Sequence, residues 1–298
     1  SIGAGDTLAP RLYVWRFDGT DDYIVVPYNS IFDLQEYSIE VLFKPYSFVS
    51  AGGRGDVILC RHDRAGYSNQ YEISLISSSD LRFFYTIDGT NYAIITLYNI
   101  NEWIYITATA KSGEQKLYKN NTLINTKNYT GTFTYTDRGI YIGRAKLGDP
   151  FNGTISFVRI YNQTLSESEI GNAYNNHIIN ATELVLFLDA TFYNGTHYID
   201  LSPYGNHGIP YNGVQRVLAN KSWLWLVKNL YSDEYVHLKF FPRGTIIRFK
   251  DPSTNNTLYE YTITGSSNSA GLVEDYTVDI PSGNYTVEAV VEYASITS

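Results

Sequence analysis

Three carboxylates, Asp18, Asp21 and Asp22, fall in the single short segment Asp18-Gly-Thr-Asp-Asp-Tyr23, a spacing that lets one turn gather them. Calcium takes about six to eight oxygens from carboxylates and backbone carbonyls, so this turn is the candidate cation site. The competing reading is that the aspartates only cap the turn. Bond-cleaving chemistry is harder to assemble. A glycoside hydrolase needs two carboxyl groups about 5 Å or about 6.5–9.5 Å apart. Glu36 and Glu40 would lie on one face of a strand about 13 Å from each other, beyond direct pairing. His62, His177, His197, His207 and His237 stand singly, none in a metal-binding spacing, and no Gly-x-Ser-x-Gly elbow occurs. Cys60, the one cysteine, has no disulfide partner and reads as a buried strand thiol. Arg54-Gly-Asp56 lies in a Gly-rich turn and reads as turn composition. No catalytic residue, no required cofactor and no enzymatic activity are expected.

The 298 residues suit about two domains. Charged residues make up 17 %, against about 25 % in an average soluble protein, and the net charge is −8. Nucleic acid is thereby excluded as a partner, since phosphates need clustered Lys and Arg. With 28 Tyr, 14 Phe and no Met, the chain reads as β structure with Tyr-studded surfaces, and the missing initiator suggests a processed or trimmed product. No apolar run approaches the roughly 18 residues of a membrane span. Asn-x-Ser/Thr occurs nine times, at Asn120, Asn128, Asn152, Asn162, Asn180, Asn194, Asn220, Asn255 and Asn284. Chance pairing of 24 Asn with 50 Ser and Thr gives about four. N-glycosylation at most of them is expected, hence an extracellular setting at a cell or virion surface; lacking disulfides, such a glycoprotein fits archaeal or viral origin.

Short strands between turn signals must position these groups. Trp103-Ile-Tyr-Ile-Thr-Ala-Thr-Ala110 alternates with period two, predicting one buried face and one wet face. Lys116 to Lys119, Asn120-Asn121 and Thr122 to Ile124 read as a hairpin, because Asn tolerates positive φ. Ser166-Glu-Ser-Glu169 fits a capping box opening a helix to about Tyr174, stopped by Asn175-Asn176. Strands without intervening helices argue for an antiparallel sandwich.

Seven segments then carry a family resemblance in order: Arg16-Phe-Asp-Gly-Thr-Asp-Asp-Tyr23, Asp88-Gly-Thr-Asn91, Glu102-Trp103, Leu117-Tyr-Lys-Asn120, Tyr141-Ile-Gly-Arg144, Phe151-Asn-Gly-Thr-Ile155 and Val158-Arg-Ile-Tyr running to Glu169-Ile170. They resemble the laminin-G-like, concanavalin A-like jelly roll. The resemblance implies two stacked antiparallel sheets, adhesive, carbohydrate-recognising or structural roles, and in some relatives a structural Ca2+. The position just before the Val-Arg-Ile-Tyr strand where relatives often carry an acidic residue is Ser156 or Phe157 here. Tyr67, Tyr92 and Trp103 are the candidates for stacking on sugar rings, although Trp103 at a strand start equally suits the core.

Leu184-Val-Leu-Phe-Leu-Asp-Ala190 and Ile199-Asp-Leu-Ser-Pro-Tyr-Gly-Asn-His-Gly208 resemble the opening of such a domain, displaced here to follow the helix. Closure in cis, donation to a neighbouring subunit and the start of a second copy compete; an apolar run left exposed would aggregate, which favours cis. The expected architecture is all-β: a possibly permuted concanavalin A-like jelly roll over 1–218, including 184–218, and a smaller immunoglobulin-like or prealbumin-like sandwich over 219–298. Trp223-Leu-Trp-Leu-Val is either the first strand of that second unit or an exposed interface. The expected function is a non-enzymatic structural or adhesive subunit of a cell-surface or virion assembly, with neighbouring copies, other surface proteins or glycans as partners. The alternatives are a soluble carbohydrate-binding module and, more weakly, a glycoside hydrolase or lyase.

Overall fold

The computed structural model describes residues 1–50, 55–61, 71–87, 90–111, 113–146, 148–291 and 294–297. Tyr67, His62, Arg54 and the Asp88-Gly89 pair lie outside the described residues. The chain is nearly all β, as two sheets packed face to face with a further small set of strands at one end. The larger sheet runs Thr122–Asn128, Glu114–Lys119, Ile104–Lys111, Glu36–Ser47, Asn152–Tyr161, Thr7–Asp18, Gln215–Lys228 and Ile178–Asn180. The smaller runs Ile209–Tyr211, Tyr23–Val26, Ile140–Ile142, Asp56–Cys60, Glu72–Leu75, Asp80–Ile87 and Thr90–Leu97. Trp15, Phe17, Ile24, Val41, Ile58 and Phe83 are among the residues filling the space between them. Cys60 is a buried strand residue. Asp56 is buried as well and accepts from the Val49 and Ser50 amides, so it serves its own turn.

Leu184–Tyr193 pairs in cis. It covers the edge of Asn152–Tyr161 from Phe157 to Tyr161, while Thr7–Asp18 covers the same edge from Asn152 to Ile155. Thr191 Oγ1 accepts from the Leu12 and Tyr13 amides and ties the two strands together. The strand's run from Leu184 to Leu188 is apolar because both faces are covered: Leu186 and Leu188 face the inter-sheet core, Leu184 and Phe187 the outer face of the larger sheet. Further on, Ile209–Tyr211 joins the smaller sheet beside Tyr23 to Val25. The displaced segment therefore supplies a strand to each sheet.

Asn120 and Asn121 hold φ of 49° and 63°, the left-handed values that their hairpin requires. The capping box forms, with Ser166 accepting from the Glu169 amide; the helix spans Glu167–Asn176, two residues past the expected stop, and ends on left-handed His177. One expectation is overturned. Tyr105, Thr107 and Thr109, assigned to a wet face, are buried like Ile104 to Ala110 opposite. The helix and the Trp225 strand roof that face with a second apolar layer, so period two here separates two cores. The boundary at 218/219 falls inside Gln215–Lys228, which pairs with Thr7–Arg16 along most of its length. Trp223-Leu-Trp-Leu-Val is therefore a strand of the larger sheet. Beyond it, Ile246–Lys250, Thr257–Thr262, Thr286–Val291 and Ala294–Thr297 form a four-stranded sheet. Its core is shared with Leu8, Leu12 and Leu224 of the larger sheet. Among the described residues no helix is long and apolar enough to cross a membrane.

Candidate binding pocket

On the outer face of the larger sheet, beneath the C-terminal end of the helix, lies a pocket of about 440 Å³. Its walls are aromatic: Trp103, Tyr105, Phe157, Tyr174, Trp223 and Trp225. Its polar lining is Arg11, Asn120, Asn175, His177, Asn220 and Lys221. Arg11 stands opposite Trp223 in the pairing of Thr7–Asp18 with Gln215–Lys228, where the register shifts between Arg11 and Tyr13. Its guanidinium carbon lies 4.0 Å from the Trp223 ring centre and 5.4 Å from that of Trp103, within range of cation–π attraction. Nε donates to Ser156 Oγ at 2.6 Å and Nη1 to the Lys221 carbonyl at 2.5 Å, but buried Nη2 finds no partner. Burial pushes the Arg11 pKa down to about 10 against the opposing pull of Asp189.

His177 stacks on Trp223 at 4.6 Å with an 8° angle between the rings. Burial, with the positive charges of Arg159, Lys221 and Arg11 adding to it, pushes its pKa down to about 4. It is therefore neutral near pH 7, a flat ring with one acceptor nitrogen. Tyr105 turns its edge to Tyr174 at 5.3 Å and sends its hydroxyl inward to Glu40 Oε1 at 2.7 Å. Asn120 Oδ1 holds the Tyr105 amide at 2.9 Å, so the hairpin tip fixes the pocket wall. Trp103 is 37 % exposed and forms the rim, not the core.

Of the two stacking candidates among the described residues, Trp103 lines this pocket. Tyr92 belongs to the other sheet and stacks on Tyr85 at 5.5 Å, packed against the inter-sheet core. Trp103 and Tyr92 share no face. Arg11, His177 and Trp223 were not legible as site residues; the only signal was a lone cation in the apolar run Leu8 to Trp15. Glu40 lies buried in a network of its own, and half-buried Glu36 accepts from the Thr164 amide.

Asp18, Asp21 and Asp22 do converge, with one ligand atom of each within 4.8 Å of the others. Burial and the charges of Asp18 and Asp21 hold the Asp22 carboxyl above its ordinary range, against a hydrogen bond from the Asp18 amide and the charge of Arg16. A cation bound among the three would relieve that repulsion. Two of their oxygens already serve the turn, Asp18 Oδ1 accepting from the Thr20 amide and Asp22 Oδ2 from that of Asp18. Among the sequons, Asn120, Asn128, Asn162, Asn180, Asn220, Asn255 and Asn284 are exposed, whereas Asn152 and Asn194 are half-buried. Asn152 begins a strand and spends its Nδ2 on Ser47 Oγ at 2.7 Å, which withdraws the atom that glycosylation needs.

The model of the concanavalin A-like lectin/glucanases superfamily matches residues 18–171. The chain belongs to that superfamily. Among solved structures it is similar to a carbohydrate-binding protein, so described provisionally, from Bacteroides ovatus, with 18 % identity over 74 % of this chain and 62 % of that one and a TM-score of 0.54. The chain thus spans less than two thirds of that protein's length. It is also similar to a SAP-like pentraxin of Limulus polyphemus, with 11 % identity over 74 % and 97 % of the two chains and a TM-score of 0.43. A third is the CBM40 module of a Ruminococcus gnavus sialidase bound to α2,3-sialyllactose, with 15 % identity over 51 % and 94 % and a TM-score of 0.39. No curated protein matches the chain in sequence.

Proposed function

We propose that the chain is a carbohydrate-binding protein whose ligand sits in the Trp103 pocket. The observation that carries this reading is the exposed indole of Trp103 at the rim of an aromatic-walled cavity with hydrogen-bonding groups converging on it. Sugar rings present an apolar face that stacks on indoles and a hydroxyl edge that seeks such groups. Among the described residues no carboxylate lines the pocket, which suits binding and gives nothing to support the paired-acid chemistry of a hydrolase. The pocket favours recognition over a purely structural subunit, and attachment at a cell or virion surface is one use that an extracellular glycan-binding protein would serve.

The test is a glycan array probed with the unmodified protein and Trp103→Ala. Trp103-dependent binding is expected, with a loss of about tenfold in the variant, the effect of losing about 1.4 kcal/mol of ring stacking. An array without any Trp103-dependent binder sinks the reading. The proposal extends to glycans on the exposed sequons outside the pocket, Asn128, Asn162, Asn180, Asn255 and Asn284, and to a Ca2+ in the Asp18–Asp22 turn. Native material whose mass is unchanged by deglycosylation would contradict the first, and a melting temperature indifferent to chelator the second.

A further inference from the structure

Arg11 is 2 % exposed and, among the described residues, has no ion pair: its three nitrogens find a serine hydroxyl, a backbone carbonyl and nothing. A buried unpaired cation is costly. The neighbouring Arg159 shows the usual solution, facing Glu40 Oε2 at 3.1 Å. Asp189, the carboxylate whose charge Arg11 feels, is committed elsewhere, to Trp225 Nε1 at 3.0 Å and the Thr191 amide at 2.8 Å. A second buried donor beside Arg11, Trp223 Nε1, is also without a partner. In a chain of net charge −8, the pocket is lined by Arg11 and Lys221 and, among the described residues, by no acid. The pocket therefore presents two unpartnered donors and a positively charged lining, which suit an anion with at least two acceptor oxygens.

We infer that the ligand is an acidic saccharide, a sialic or uronic acid residue whose carboxylate takes the free donors Arg11 Nη2 and Trp223 Nε1 while its ring stacks on Trp103. Lys221, exposed at the mouth, adds attraction at longer range. Both donors are buried atoms of residues that line the pocket, so the carboxylate engages them with a local adjustment of that lining. The donor chemistry suits a carboxylate because guanidinium and indole N–H groups donate only, and two carboxylate oxygens accept only.

The inference rests on the glycan-binding reading, and the experiment separates the two. Calorimetry compares 3′-sialyllactose and trigalacturonate, each against its carboxyl-reduced neutral counterpart, on the unmodified protein, Arg11→Gln, Lys221→Gln and Trp103→Ala. One acidic probe is expected to bind at least about tenfold tighter than its neutral form, the factor of one charge-assisted hydrogen bond. Which probe does so distinguishes sialic from uronic acid. Arg11→Gln should erase that preference, and Lys221→Gln should reduce it about threefold, which keeps the test alive if the buried variant fails to fold. Equal binding of acidic and neutral forms, or an array on which only neutral glycans bind through Trp103, overturns the acidic ligand and leaves the glycan reading standing. No binding by any of the four probes overturns the acidic ligand, and absence of every Trp103-dependent binder from the array removes both. Acid preference that survives both Arg11→Gln and Lys221→Gln also overturns it.

Discussion

Replacing Glu40 with leucine is expected to cost the fold about 3–5 kcal/mol, while Glu40→Leu combined with Arg159→Met should recover most of that loss. Both side chains are fully buried in the layer between the larger sheet and the helix. Glu40 accepts from Tyr105 at 2.7 Å and Tyr161 at 3.0 Å and faces Arg159, whose Nη2 also donates to the Tyr105 hydroxyl and whose guanidinium carbon lies 4.4 Å from the Phe157 ring centre and 4.8 Å from that of Trp225. Arg159 Nε and Nη1 have no hydrogen-bond partner, so the ion pair is only partly satisfied even when intact. Removing the glutamate alone strands a cation in an aromatic box. Removing both leaves the two tyrosine hydroxyls, a residue of about 1–2 kcal/mol. Urea midpoints at constant slope measure the cycle; a single-variant cost below about 1 kcal/mol would show that the pair is not what holds this layer. The effect reaches the pocket, because the hydroxyl of Tyr105 is anchored on Glu40 while its ring lines the wall.

Local chemistry made the hairpin tip and the capping box readable, because each depends on residues a few positions apart, whereas the segment from Ile199 to Gly208 was legible only through its resemblance to the opening of a laminin-G-like domain. Asn120 and Asn121 announce positive φ, and Ser166 with Glu169 announces a helix start. The apolar run from Leu184 to Leu188 likewise announced a strand that must be covered. What was not readable depends on register between distant segments. Arg11 meets Trp223 only because Thr7–Asp18 pairs with Gln215–Lys228 in one alignment, and nothing in either segment reveals that Nη2 is left over. The second face of Trp103 to Ala110 was misread for a similar reason. Tyr and Thr alternating with Ile and Ala are compatible with a wet face, and only the helix and the Trp225 strand roofing that face bury it. The 218/219 boundary failed because a change in composition need not coincide with a break in pairing, and one strand here runs through it.

Asp200→Ala is expected to destabilise the jelly roll by about 3–5 kcal/mol, more than an average buried substitution. The carboxylate accepts four hydrogen bonds: from the Phe187 and Ser202 amides at 2.8 and 2.9 Å through Oδ1, and from Ser202 Oγ and the Asn206 amide at 2.6 and 2.8 Å through Oδ2. Alanine leaves three buried amides without acceptors, each costing about 1–3 kcal/mol, although the loop can relax to recover part of it. The damage spreads because the loop is a clasp between the sheets. Asn206, positioned by Asp200, donates to the Val185 carbonyl at 3.3 Å and accepts from Asn29 at 2.8 Å. Ile209–Tyr211, just beyond it, is an edge strand of the smaller sheet. Loosening the clasp should therefore expose Leu184–Tyr193 and Ile209–Tyr211 together, and hydrogen exchange should show the amides of both segments losing protection in the variant. Ser202→Ala removes only the hydroxyl contact and should cost about 1 kcal/mol with no coupled loss. If Asp200→Ala were as mild as Ser202→Ala, or if protection fell in only one of the two strands, the displaced segment would be held by its apolar strand alone and the loop would be an ornament on the fold.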